Sequence, residues 1–166
     1  METKLNEVKL IKTDVFEDLR GTFTRSFSEK DYHILGQQFV EDGFSISSKN
    51  VLRGIHGDSE TFRIYSCPFG EVYNVVVNCN PQSKEFGKWE GFDLSRENGR
   101  QVFVPPMFGN AYFVLSDEAV VHYKLSKYYA GPENQFTYRF NDPKFGIRWP
   151  IDNPILSKRD SDVKNL

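Results

Sequence analysis

Ser48-Lys49-Asn50-Val51-Leu52-Arg53-Gly54-Ile55-His56-Gly57-Asp58-Ser59 is an apolar strand that closes in a Gly-Asp-Ser turn. It brings Arg53, Gly54 and His56, one of only three histidines in the chain, close together. A histidine after a strand is more often structural than catalytic, so the stretch takes its meaning from what surrounds it. In a regular strand Arg53 and His56 fall on opposite faces. Both line one cavity only if Gly54 permits a bulge or bend.

Working outward, segments of the same kind lie on both sides. Val8–Thr13 reads as a first strand, 14–21 as a polar loop, and Thr22–Phe27 as an alternating strand with Arg25 near a ligand, an interface or solvent. Ser28, with Asp31 three residues later, opens a helix whose apolar side is Tyr32, Leu35 and Phe39. Further strands are expected over 43–48, 62–67, 71–78, 88–93, 100–104, 111–115 and 119–125, with turn signals at 67–70, Asn80-Pro81 and Pro105-Pro106. Many short strands and few helices point to a closed or double-sheet all-β architecture. The C-terminal stretch, 141–160, carries Phe145, Ile147 and Trp149 and is expected to pack against that barrel.

Composition bounds the functions open to such a chain. Its 166 residues fit a single domain, 1–166, large enough to bury a full core. A formal charge of −2 with scattered basic residues leaves no electrostatic footprint for nucleic acid or a membrane surface. Cys67 and Cys79 lack zinc-site spacing and read as free thiols in a reducing compartment. With no leader-like N-terminus and no membrane-length apolar run, the expected location is the cytoplasm.

Period-two alternation constrains the histidines. If Tyr123 points inward with Val121 and Leu125, then His122 points outward with Val120 and Lys124. With His33 on the helix, only His56 is left for an interior site, and a histidine-based metal centre is poorly supplied. His56 alone suits a general base, provided a partner fixes its tautomer. Asp160 can serve only if the C-terminal segment folds back. Arg53 and Arg63 are suited to an anion, although either alone reads more readily as a surface charge.

The ordered motifs Asp18-Leu19-Arg20-Gly21, Asn50–His56, Gly70-Glu71-Val72-Tyr73, Phe86-Gly87-Lys88-Trp89, Tyr123-Lys124, Tyr128-Tyr129, Asn141-Asp142, Ile147–Pro150 and Leu156–Asp160 resemble the nucleotide-sugar 3,5-epimerases typified by the dTDP-4-dehydrorhamnose 3,5-epimerase family. The resemblance covers nearly the whole chain. It implies a cupin jelly roll with one or two short helices, and a homodimer that exchanges N-terminal strands. The implied activity is cofactor-free and metal-free epimerisation of an NDP-4-keto sugar at C3, C5 or both. By the same resemblance His56 is the base, Asp160 its partner carboxylate, and Tyr123 the acid on the other side. Arg63 stands where the family has an enolate-stabilising lysine, and Arg53 shares that pocket. Tyr129 and Arg20 match positions at the diphosphate end, with Arg20 reaching a neighbouring subunit.

The chain also departs from the family pattern. Met107-Phe108-Gly109-Asn110-Ala111-Tyr112 replaces Gly-Phe-Ala-His-Gly-Phe, so Asn110 stands for a pocket histidine, and Asn74 replaces an aspartate. The loop after His56 is short, with Gly57-Asp58 in place of an aromatic-Gln pair, and Arg25, Glu41 and Gly43 differ near the nucleoside. These departures suggest a substrate other than dTDP-4-keto-6-deoxyglucose, such as a GDP-linked 4-keto hexose or heptose. Two other readings stay open on the residues: a 3,4-ketoisomerase, which shares the enolate but moves the carbonyl, and a sugar-binding cupin without catalysis.

Overall fold

A computed structural model of the chain describes residues 3–166, and strands dominate it. In chain order they are β1 (Lys9–Lys12), β2 (Val15–Asp18), β3 (Gly21–Thr24), β4 (Glu41–Ser48), β5 (Leu52–Gly57), β6 (Arg63–Phe69), β7 (Glu71–Asn78), β8 (Trp89–Ser95), β9 (Arg100–Val104), β10 (Phe108–Val114), β11 (Glu118–Leu125) and β12 (Phe136–Thr137). Two four-residue helices, α1 (Glu29–Tyr32) and α2 (Lys158–Ser161), are added to them. One antiparallel five-stranded sheet has the order β1-β9-β6-β11-β4 and the other β12-β5-β10-β7-β8, while β2 and β3 form a separate hairpin. The two sheets face each other as the double-sheet architecture that the strand count predicts, in the cupin-like jelly roll that the family resemblance implies.

Valines fill the space between the sheets. Val72, Val76, Val102, Val114 and Val121 are all 0% exposed there, and their branched side chains suit a pleated surface packed against a second one. The second sheet is buried on its outer face as well, where Val75 and Val77 of β7 meet Ile55, Ala111 and Phe145. That double burial explains why Val75-Val76-Val77 is a continuous apolar run rather than an alternating one.

The outer cover is the C-terminal segment, held by rings. Tyr138 meets Phe145 edge-on at 5.4 Å, Trp149 meets Tyr73 edge-on at 6.0 Å, and the Trp149 indole N–H donates to the Phe140 carbonyl at 2.8 Å. The segment then returns to the start of β5, where Leu52 N–H donates to Ile155 O (3.0 Å) and Ile155 N–H to Asn50 O (2.8 Å). Two residues on, Ser157 caps α2 by accepting from Asp160 N–H at 3.1 Å. The fold-back that Asp160 requires is therefore built by backbone pairing.

Local departures from the expected elements have local causes. The 14–21 loop contains β2 and leads into β3, because Val15 and Phe16 favour extended backbone and Asp18 turns the chain by accepting from Arg20 N–H at 2.8 Å. The helix expected from Ser28 runs only from Glu29 to Tyr32 before tightening to a 3₁₀ turn, His33–Leu35, ended by Gly36 at φ +67°. Ser28 has the extended conformation of a cap without a side-chain bond, which leaves little to lengthen the helix. Cys67 and Cys79 are free and buried, and burial pushes both thiols up to about 12, out of reach of ordinary thiolate chemistry. Among the described residues no helix is long and apolar enough to cross a membrane.

Candidate functional site

At the Arg63 end of β6 the two sheets part around a cavity of about 700 Å³. One wall comes from β5 and β10, the other from β6 and β11. The wall on β5 depends on an irregularity: Arg53 pairs with Tyr112 and His56 with Asn110, so Arg53-Gly54-Ile55-His56 is matched by the shorter Asn110-Ala111-Tyr112. This bulge resets the alternation, and both Arg53 and His56 line the cavity while Leu52 and Ile55 pack outward. Gly54 is required on two counts. Its φ is +118°, and a Cβ there would lie 2.5 Å from Asn110 O and 2.6 Å from Ala111 Cα. The Gly54–Ile55 peptide bond is cis.

His56 Nε2 lies 2.5 Å from Asp160 Oδ1, and the Asp160 side chain is 2% exposed. The other carboxylate oxygen accepts from Gly54 N–H at 3.4 Å. Burial alone would raise the Asp160 carboxyl, but the hydrogen bond and charge of His56, with donors at Ser157 and Gly54, outweigh it and hold it below its ordinary value. An ionised carboxylate only accepts, so Asp160 keeps a proton on the His56 nitrogen facing it, and the second ring nitrogen is the one free to exchange a proton with a substrate. A fixed tautomer in a cavity wall is the arrangement of a proton-abstracting base.

The opposite wall is aromatic and cationic. Arg63 is 4% exposed; its guanidinium pairs with the Asp58 carboxylate and donates to Thr61 O at 3.2 Å. Two residues along β6, Tyr65 turns inward and sits 6.2 Å, ring to ring, from Tyr123 of β11. Burial, partly opposed by Arg63, pushes the Tyr65 phenol up to about 12. Tyr123 is raised as well, by burial first and then by Tyr112, Tyr129 and Glu41, against the influence of Arg53. Both phenols therefore keep their protons at neutral pH. Gly43, opposite Tyr123 on β4, makes room for the ring, since a Cβ at Gly43 would come within 2.6 Å of it. Gly43, which the family resemblance puts near the nucleoside, thus also leaves space for the phenol.

Of the remaining expected residues, Asn110 and Tyr129 line the cavity, Tyr129 with its backbone N–H on Glu41 at 3.1 Å. Asn110 Oδ1 is buried with no hydrogen-bond partner. Asn74 shares the inward side of β7 with Val72 and Val76, in register with Tyr112, and does not reach the cavity; both its amide atoms are unpartnered. Within one chain Arg20 and Arg25 lie elsewhere. Arg20 is exposed at the tip of the β2–β3 hairpin and pairs with Asp18 at 2.5 Å, and Arg25 pairs with Asp31 at 3.3 Å. His122 faces away from the cavity, 3.8 Å from Asp42. Among the described residues no group of three His, Cys, Asp or Glu is placed to hold a metal ion.

The sequence reading missed Tyr65, Tyr112, Asp58 and Ser45 as lining residues. Alternation could have found the first two, because an inward Arg63 forces Tyr65 inward and an inward Asn110 does the same for Tyr112. Ser45 shares a 2.6 Å hydrogen bond with the Tyr112 hydroxyl across the sheets.

A family model described as dTDP-4-dehydrorhamnose 3,5-epimerase matches residues 2–166. The dTDP-4-dehydrorhamnose 3,5-epimerase of Escherichia coli (strain K12) is 40% identical over 173 residues, spanning 100% of this chain and 93% of the relative. Among solved structures, dTDP-6-deoxy-D-glucose-3,5-epimerase of Legionella pneumophila, in complex with dTDP-4-keto-L-rhamnose, superposes with a TM-score of 0.93 at 38% identity, over 99% of this chain and 90% of that one. ChmJ, a 3'-monoepimerase from Streptomyces bikiniensis in complex with dTDP-quinovose, gives a TM-score of 0.91 at 26% identity, over 98% and 85% of the two chains.

Proposed function

The chain belongs to the dTDP-4-dehydrorhamnose 3,5-epimerase family, and on that premise we propose that His56 and Asp160 form the proton-abstracting pair and Tyr123 the proton donor of its reaction. The protein is an isomerase, a nucleotide-sugar epimerase of carbohydrate biosynthesis. A 4-keto group acidifies the protons on C3 and C5. Removing one leaves a flat enolate, and reprotonation from the other face inverts the centre. The observation that carries the reading is the placement of a tautomer-fixed His56, 2.5 Å from buried Asp160, on one wall and a protonated Tyr123 on the facing wall of a single cavity. Arg63, with Arg53 and Asn110 on the facing wall, supplies donors to the oxygen on which the enolate charge develops.

Further features support a homodimer that completes this site. The β2–β3 hairpin exposes Phe16, Leu19 and Phe23, and the edge strand β4 exposes Phe44 and Ile46. Exchange of hairpins between two copies would cover both faces and carry Arg20 of one copy toward the diphosphate end at Tyr129 of the other. On the nucleoside side, Arg25 and Glu41, together with Asn110 in the wall and Asn74 behind it, favour a GDP-linked 4-keto hexose or heptose over dTDP-4-keto-6-deoxyglucose. Binding isotherms with GDP, dTDP and UDP decide this, and a clear preference for dTDP overturns it.

Deuterium exchange tests the assignment of the acid and base. In D₂O the substrate should acquire deuterium at C3 or C5, and His56→Asn should abolish that exchange. A variant that still exchanges removes His56 from the role of base. Product NMR separates an inverted centre from the shifted ketone of a ketoisomerase.

A further inference from the structure

Arg63 is the most deeply buried cation of the cavity, and a guanidinium with little water around it needs both a counter-charge and a fixed orientation. Asp58 provides both. The loop that joins β5 to β6 carries Asp58 two residues after His56, and its carboxylate oxygens divide their partners. Oδ1 accepts from the backbone N–H groups of Glu60 (2.9 Å) and Thr61 (2.6 Å), which ties the carboxylate to its own loop. Oδ2 takes the Arg63 guanidinium. The Asp58 backbone is pinned in turn, its carbonyl accepting from Met107 N–H at 2.8 Å. Burial alone would raise the Asp58 carboxyl, but the Arg63 charge and the two loop amides outweigh it, and it stays ionised.

We infer that Asp58 is a positioning residue of this enzyme, holding the Arg63 guanidinium so that its remaining N–H groups face the oxygen of the enolate. The inference rests on the assignment of Arg63 to that oxygen. A lysine at this position would be a point charge able to turn toward any acceptor, whereas a planar guanidinium donates in fixed directions and is only as well aimed as the group that clamps it. The short loop after His56 and the arginine at the start of β6 thus work as one unit. The two ends of that loop carry the base and the oxyanion donor, so the clamp also fixes Arg63 relative to His56.

Asp58→Asn isolates this role, because an asparagine side-chain oxygen still accepts from the amides of Glu60 and Thr61 while losing the charge that orients Arg63. With a panel of dTDP-, UDP- and GDP-4-keto sugars, kcat for solvent deuterium exchange should fall about tenfold or more with KM changed less than about threefold, because an interaction made chiefly in the transition state is lost. Arg63→Gln alone should cost about a hundredfold, the usual loss for one oxyanion donor. In the Arg63→Gln background Asp58→Asn should then cost nothing further. A kcat for Asp58→Asn within twofold of the parent overturns the inference, and so does an equal loss in both backgrounds. An Arg63→Gln enzyme with unchanged kcat instead overturns the assignment of Arg63 itself. Circular dichroism and thermal midpoints show that each variant is folded. If Arg63→Gln does not fold, Arg63→Lys takes its place, and in that background Asp58→Asn should lose less than in the parent.

Discussion

The space between the sheets has two ends, built on the same strands and filled with opposite chemistry. Toward one end β6 sends in Cys67, β11 sends in Ala119 and Val121, and β10 sends in Val114, all buried and apolar. Toward the other the same strands send in Arg63 and Tyr65, Tyr123, and Tyr112 and Asn110. The inward alternation is unbroken along β10 and through the cavity-facing parts of β6 and β11, and only the residue types change. His56, Arg63, Tyr65, Asn110, Tyr112 and Tyr123 are therefore presented from strand positions, while Asp58, Tyr129 and Asp160 reach the cavity from loops and from α2. The closed end stabilises the fold, and the open end ties its two buried carboxylates to nitrogen partners: Asp160 to His56, Asp58 to Arg63.

If the two ends are separable, substitutions should split cleanly between activity and stability. The largest effect belongs to Asp160→Asn. An amide can present its N–H to His56 and stabilise the wrong tautomer, so kcat should fall about 10³- to 10⁴-fold, the scale seen when a buried carboxylate partner of a catalytic histidine is replaced in this way. The thermal midpoint should move by only a few degrees. Retention of a tenth of the parent kcat would show that His56 does not depend on Asp160. Leu94→Ala tests the closed end. Leu94 is 0% exposed in the valine cluster, and its truncation should cost about 2–5 kcal/mol in urea denaturation. The kcat/KM of the folded fraction should stay within about twofold, because a packing loss remote from the reacting atoms removes no transition-state contact. A parallel fall in kcat/KM would mean that the closed end helps to set the site geometry.

The closed end was largely legible in the sequence and the open end only in part, for a physical reason. Alternation and β-branched runs are local signals, and they place Val72, Val121 and Tyr123 without reference to anything distant. The bulge at Gly54 was also legible, because Arg53 and His56 can share a face only if the register slips, and the pairing of Arg53 with Tyr112 and His56 with Asn110 shows that slip. Asp160 could not be placed by local rules. Its position depends on Ile155 pairing with the start of β5 across a long stretch of chain, a contact without local periodicity. The β2 strand was hidden by the polar residues around it, and Asp58 by lying in a turn, where Asp is usually explained by the turn itself.

Asn74 sits on the boundary between the two ends and gives the finest test of the division. It is 0% exposed, flanked on the inward side of β7 by Val72 and Val76, with neither amide atom partnered. An unpaired buried amide costs about 1–3 kcal/mol, whereas an apolar group of similar shape in the same place costs nothing of the kind. Asn74→Leu should therefore raise stability by about 1 kcal/mol, seen as a thermal midpoint about 2–4 °C higher. If the amide is kept for the sake of the site, through the Asn110 side chain on the neighbouring strand, the same variant should raise KM for the 4-keto sugar by several-fold while gaining that stability. Gain without loss would assign Asn74 to the closed end and narrow the site to the residues that line the cavity. Loss of stability would mean that the amide has a partner in solution, and that the boundary between the two ends lies one strand deeper.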